Sequence, residues 1–118
     1  MKILFASSEV YPLIKTGGLA DVSGGLPRAL KALGHDVRII MPAYGSLLAT
    51  AAFPIVAQIQ CGAPTWILSS FLPRSDIPVY FVDIPHFFSR LGGPYQDPRG
   101  HDWIDNGERF CSLSRAAV

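Results

Sequence analysis

Lys15, Thr16, Gly17, Gly18 and Asp21 stand close together between a short apolar run, Ile3-Leu4-Phe5-Ala6, and a stretch with helical spacing that starts at Val22. A lysine and two glycines in that position suit the gripping of an anion. Glycines let backbone N–H groups approach a ligand closely, a helix N-terminus adds partial positive charge, and the lysine adds a full one. A tight Gly-Gly turn beside a solvated lysine fits the same local pattern. Asp21 fits two roles equally, hydrogen bonding to a sugar hydroxyl or capping of the helix. Glu9, where the apolar run gives out, is expected as a solvated loop carboxylate rather than a group facing a cleft.

The elements that would position these residues follow from periodicity. Lys2 to Ser7 reads as a first strand, buried on both faces as in a central parallel strand. A loop runs to about Leu19. Val22, Leu26, Ala29, Leu30 and Leu33 then form an apolar stripe expected to face the core, and Gly34 stops the helix. Asp36 to Met41 is a second strand, ended by Pro42. Strand, helix and strand in this order make a right-handed βαβ unit and a parallel sheet. Ligands of such sheets sit beyond the carboxyl ends of the strands, where the Lys15 loop lies.

The middle of the chain is less regular. Ala43 to Thr50 fits a loop or a short helix. Ile55–Gln60 and Thr65–Ser70 suggest an antiparallel hairpin inserted into the α/β order. Ile77 to Asp83 reads as a further buried strand, Pro85 to Arg90 as one helical turn, and Leu91 to Asp102 as a Gly- and Pro-rich loop. Asp105 or Asn106 is placed to cap a last helix through Arg109, Phe110, Leu113 and Ala117. The Asp97–Arg109 segment, with its aromatics and capping residues, reads as structural rather than catalytic.

Composition narrows the chemistry. The chain has 118 residues, enough for one core, and its net charge of +1 gives no electrostatic case for nucleic acid or an anionic membrane. Hydrophobic residues make up 49% and charged ones 16%, which suits a piece covered by further protein. Cys61 and Cys111 read as free thiols of a reducing compartment. His35, His86 and His101 lack metal-ligand spacing, so no metal is expected. Four consecutive apolar residues after Lys2 are too few for a signal sequence, and nothing reaches the ~20 of a membrane span. GxGxxG and GxxxxGK[ST] are absent, which argues against a dehydrogenase and a P-loop NTPase, and no serine sits in a GxSxG elbow.

Two stretches carry a family resemblance. Met1-Lys2-Ile3-Leu4-Phe5-Ala6-Ser7-Ser8-Glu9-Val10-Tyr11-Pro12 with Lys15-Thr16-Gly17-Gly18-Leu19 resembles the start of bacterial glycogen synthases and plant starch synthases. Tyr95-Gln96-Asp97-Pro98-Arg99-Gly100-His101-Asp102-Trp103-Ile104-Asp105-Asn106-Gly107-Glu108-Arg109-Phe110 resembles a later segment of their first domain. The resemblance implies a GT-B glycosyltransferase with two Rossmann-like domains. Residues 1–118 would be the N-terminal portion of the first, with the second absent. It implies glucosyl transfer from ADP-glucose to the non-reducing end of an α-1,4-glucan, with retention, in the cytoplasm (or a plastid for a processed plant protein) and without a cofactor. Lys15, Gly17, Gly18 and Asp21 then become substrate-binding residues. The family's active-site histidine falls beyond residue 118, and His101 does not take its place. A non-catalytic remnant and another two-domain sugar-nucleotide transferase, of sucrose or trehalose type, are the alternatives.

Overall fold

The computed structural model describes residues 1–118. One five-stranded sheet is built from β1 (Lys2–Ala6), β2 (Asp36–Pro42), β3 (Ile55–Gln60), β4 (Pro64–Phe71) and β5 (Pro78–Asp83), in the order β1-β2-β5-β4-β3. β1, β2 and β5 run parallel, with Phe5 beside Ile39 and Ile39 beside Val79. β4 joins β5 antiparallel and β3 closes the far edge as the expected hairpin. The sheet is therefore mixed, a Rossmann-like parallel half extended by an antiparallel one. The helices are α1 (Gly18–Ala32), α2 (Gly45–Leu48), α3 (Pro85–Phe88) and α4 (Asn106–Ala117).

The core sits on β2 and β5. Ile39, Met41, Val79 and Phe81 are fully buried, together with Leu72, Ile77, Ile84 and Phe88. Each such side chain contributes about 1.5–3 kcal/mol by leaving water. β1 departs from expectation. Within residues 1–118 it is an edge strand, and its residues alternate between exposed and half-buried.

Helix α1 also differs from the reading of its apolar stripe. Val22 (56% exposed), Leu26 (44%) and Leu33 (75%) face outward, while Ala20, Ser23, Gly24 and Pro27 face the protein. The reason is closeness. The Tyr11 N–H donates to the Ala20 carbonyl at 2.9 Å, and Ser7 Oγ meets Ser23 Oγ at 2.8 Å. A Cβ on Gly24 would lie 2.5 Å from the Tyr11 carbonyl oxygen. Only small residues fit that face, so the larger ones are turned out. Gly34, at φ +90°, ends the helix as expected of a C′ glycine.

Candidate functional site

Beyond the carboxyl end of β1 the chain turns sharply through residues 7–17 before α1 begins. Ser7 N–H donates to the Ile40 carbonyl at 3.1 Å, which holds the start of this loop on the neighbouring strand. Val10 and Ile14 bridge its interior. The loop thus presents Lys15 to Gly18 at the end of the parallel sheet, where ligands of such sheets bind.

Lys15 and Asp21 come together. The Lys15 ammonium donates to both carboxylate oxygens of Asp21, at 2.6 and 2.8 Å, and both side chains are about half exposed. Asp21 therefore orients Lys15. The capping alternative is not realised, because the Asp21 carboxylate takes Lys15 and the N–H groups at the start of α1 go to Glu9 instead. Lys15 also lies 5.9 Å from the centre of the Tyr11 ring.

Gly17 and Gly18 are not required by the backbone. Gly17 has φ −161°, extended backbone open to any residue, and a Cβ on either glycine would meet nothing within 4 Å. The space beside both glycines is therefore open. The N–H groups of Gly18 and Leu19 take no partner within the chain.

Glu9 corrects the expectation made for it. It is 1% exposed, not solvated, and it is the hub of the loop. Oε1 accepts from the Gly17 N–H at 3.2 Å and the Ala20 N–H at 3.1 Å. Oε2 accepts from the Thr16 hydroxyl and, at 2.8 Å, from the Tyr95 hydroxyl. Burial pushes its carboxyl upward, and the hydrogen bonds from Thr16, Tyr95, Gly17 and Ala20 together outweigh it and hold the group below its ordinary value. The carboxylate stays ionised at the positive end of α1 without a cationic partner. The site then holds one cation, Lys15, against two carboxylates, Glu9 and Asp21.

Tyr95 brings in the 93–105 loop. Ser8 Oγ donates to its phenolic oxygen at 2.6 Å, and Tyr44 donates to the Ser8 carbonyl at 2.7 Å. Burial pushes the Tyr44 hydroxyl far up, so it remains a donor. Behind Tyr95 lies Arg109, 1% exposed and without a carboxylate partner. It donates to the Phe87 and Pro94 carbonyls and to Asn106 Oδ1, at 2.8, 2.8 and 2.7 Å. It also faces the rings of Phe88 and Phe110 at 5.3 and 5.4 Å. Asp105 occupies the position before α4 without capping it. Its carboxylate instead takes both terminal nitrogens of Arg90, at 2.6 and 2.8 Å. These contacts place the segment as a back wall for Tyr95. Between that wall and the loop is an open pocket of about 320 Å³ lined by Thr16, Gly93, Pro94, Tyr95, Gln96 and Asp102.

No group of three His, Cys, Asp or Glu side chains is placed to hold a metal ion, and no helix is long and apolar enough to cross a membrane. Sequence reasoning missed Glu9, Ser8, Tyr44 and Tyr95 as members of the site. The available signal was an acidic residue at the carboxyl end of the first strand, near glycines that open a helix.

A family model described as the starch synthase catalytic domain matches residues 2–118. The chain belongs to the starch synthase catalytic domain family. It is 55% identical over its whole length to glycogen synthase 1 of Methylococcus capsulatus and 54% identical to the glycogen synthase of Paramagnetospirillum magneticum. It covers 24% and 25% of those proteins, so it spans about a quarter of the length of the curated relatives it matches. Among solved structures, the catalytic domain of starch synthase IV from Arabidopsis thaliana, bound to ADP and acarbose, superposes with a TM-score of 0.74 at 30% identity. That match covers 98% of this chain and 24% of the plant chain. The mixed sheet described above is thus part of a starch synthase catalytic domain, and the parent family is one of glycosyltransferases.

Proposed function

We propose that residues 1–118 form the donor-side portion of the first Rossmann-like domain of a cytoplasmic glycogen synthase. In this reading the whole enzyme transfers glucose from ADP-glucose to the non-reducing end of an α-1,4-glucan with retention. The observation that carries the reading is the Lys15–Asp21 pair in front of two glycines whose absent side chains serve no need of the fold. Breaking the glucosyl–phosphate bond places negative charge on the leaving diphosphate. Lys15, aimed by Asp21, and the unclaimed N–H groups of Gly18 and Leu19 stabilise that charge as it develops. Gly17 and Gly18 let the diphosphate approach the backbone. Asp21, half exposed, also offers an oxygen to a sugar hydroxyl. The plant starch synthase IV structure bound to ADP and acarbose supports a nucleotide donor and a glucan acceptor.

The test is a chimera in which residues 1–118 replace the matching N-terminal quarter of the Methylococcus capsulatus glycogen synthase 1. Incorporation of glucose from ADP-glucose into glycogen is measured against the unaltered enzyme. Activity within about tenfold of that enzyme supports the reading. A folded chimera without glucosyl transfer contradicts it.

A further inference from the structure

The donor-loop reading leaves Glu9 without a chemical part, because its carboxylate is buried and both of its oxygens are taken by donors of the chain. Burying an ionised carboxylate costs free energy that hydrogen bonds offset only when every one of them is made. Here all four donors come from two segments, the start of α1 with its preceding loop and the 93–105 loop. None comes from the hydrophobic core. Two of the donors, Thr16 and Tyr95, are also walls of the 320 Å³ pocket. Glu9 claims the N–H groups on either side of Gly18 and Leu19, which fixes the backbone carrying the two unclaimed ones.

We propose that Glu9 is a positioning residue for the Lys15–Gly18 loop, and that the Tyr95 hydroxyl makes its hold depend on the seating of the 93–105 loop. Seating Tyr95 completes the carboxylate's set of donors. The carboxylate then holds Thr16, Gly17 and Ala20 in one arrangement, and Lys15 and the Gly18 and Leu19 amides are presented together. The two loops that flank the pocket are thereby coupled through one buried group. This inference rests on the donor-loop reading.

The test uses Tyr95→Phe and Thr16→Val in the same chimera. Each removes one hydroxyl and keeps its volume, and the Tyr95 ring keeps its packing on Phe110 at 5.7 Å. Each variant is expected to lower kcat/KM for ADP-glucose by about tenfold, as for loss of one hydrogen bond to a charged group. Thr16→Ser is expected to restore the original kcat/KM. The double variant is expected to fall well short of the product of the two, because both act through the same carboxylate. Amide hydrogen exchange at Gly17 and Ala20 is expected to quicken by about tenfold in Tyr95→Phe. A lowered melting temperature with unchanged kcat/KM, multiplicative effects, or unchanged exchange at Gly17 and Ala20 would each overturn the inference. The exchange measurement needs no turnover. A chimera that transfers no glucose therefore sinks the donor reading alone, while the exchange result still decides the coupling.

Discussion

Substituting Gly18→Ala separates a glycine kept for the fold from one kept for a ligand. Gly18 is the first residue of α1, and a Cβ there meets nothing within 4 Å. Alanine is the better helix former by up to about 1 kcal/mol, so the folded protein should be unharmed or slightly stabilised. The donor, however, is expected to occupy that open space against the Gly18 and Leu19 amides. A methyl group forced into a filled contact costs about 1–3 kcal/mol, which is roughly 5- to 150-fold in rate. The assay is steady-state kcat/KM for ADP-glucose in the chimera, read beside its melting temperature. The account expects kcat/KM to fall in that range while the melting temperature holds or rises. A kcat/KM equal to that of the unaltered chimera would refute the reasoning and leave Gly18 as a residue of the helix start alone.

Three further outcomes follow from the same structure. The isolated chain should elongate no glucan and bind ADP-glucose more weakly than about 1 mM by calorimetry, since Lys15 is the one cation against two carboxylates in the loop. It should also self-associate on size exclusion or bind hydrophobic dyes, because Leu4, Val22, Leu26, Leu33, Ile55, Val56 and Phe71 are exposed. Even about 400 Å² of apolar surface left open forfeits around 10 kcal/mol. Asp83 has a buried oxygen without a partner, and burial raises its carboxyl above the ordinary value. A raised carboxyl favours folding only while protonated, so Asp83→Asn should raise the melting temperature near pH 7, and the gain should shrink as pH falls through the raised value and be gone below about 4. Glu9, Asp97 and Asp105 are shifted the opposite way, and their stabilisation is lost as pH falls through their lowered values.

What was legible in the sequence was local. The βαβ unit, the stop at Gly34 and the hairpin all rest on neighbours within one or two elements. Glu9 was misread because what encloses it is remote. One of its hydrogen-bond donors, Tyr95, stands 86 residues away, and a carboxylate next to a loop is ordinarily solvated. The face of α1 was misread for another reason. Periodicity finds the largest apolar residues, whereas the face that approaches the Tyr11 backbone admits only Ala20, Ser23, Gly24 and Pro27. β1 has the composition of a central strand and lies at an edge in residues 1–118, which no pattern within it distinguishes. Asp105 shows the same competition at the start of α4, where Arg90 outbids the backbone for its carboxylate.

The central claim is that Lys15 carries the donor's diphosphate. Lys15→Ala in the chimera tests it most directly, by steady-state kcat/KM with ADP-glucose. Losing a charge-assisted contact to phosphate costs roughly 1.5–3 kcal/mol, so the account predicts a loss of more than about tenfold. The fold should be kept, because the lysine's ion pair with Asp21 is half exposed and contributes little to stability. An unchanged kcat/KM would contradict the account and return Lys15 to the role of a solvated turn residue.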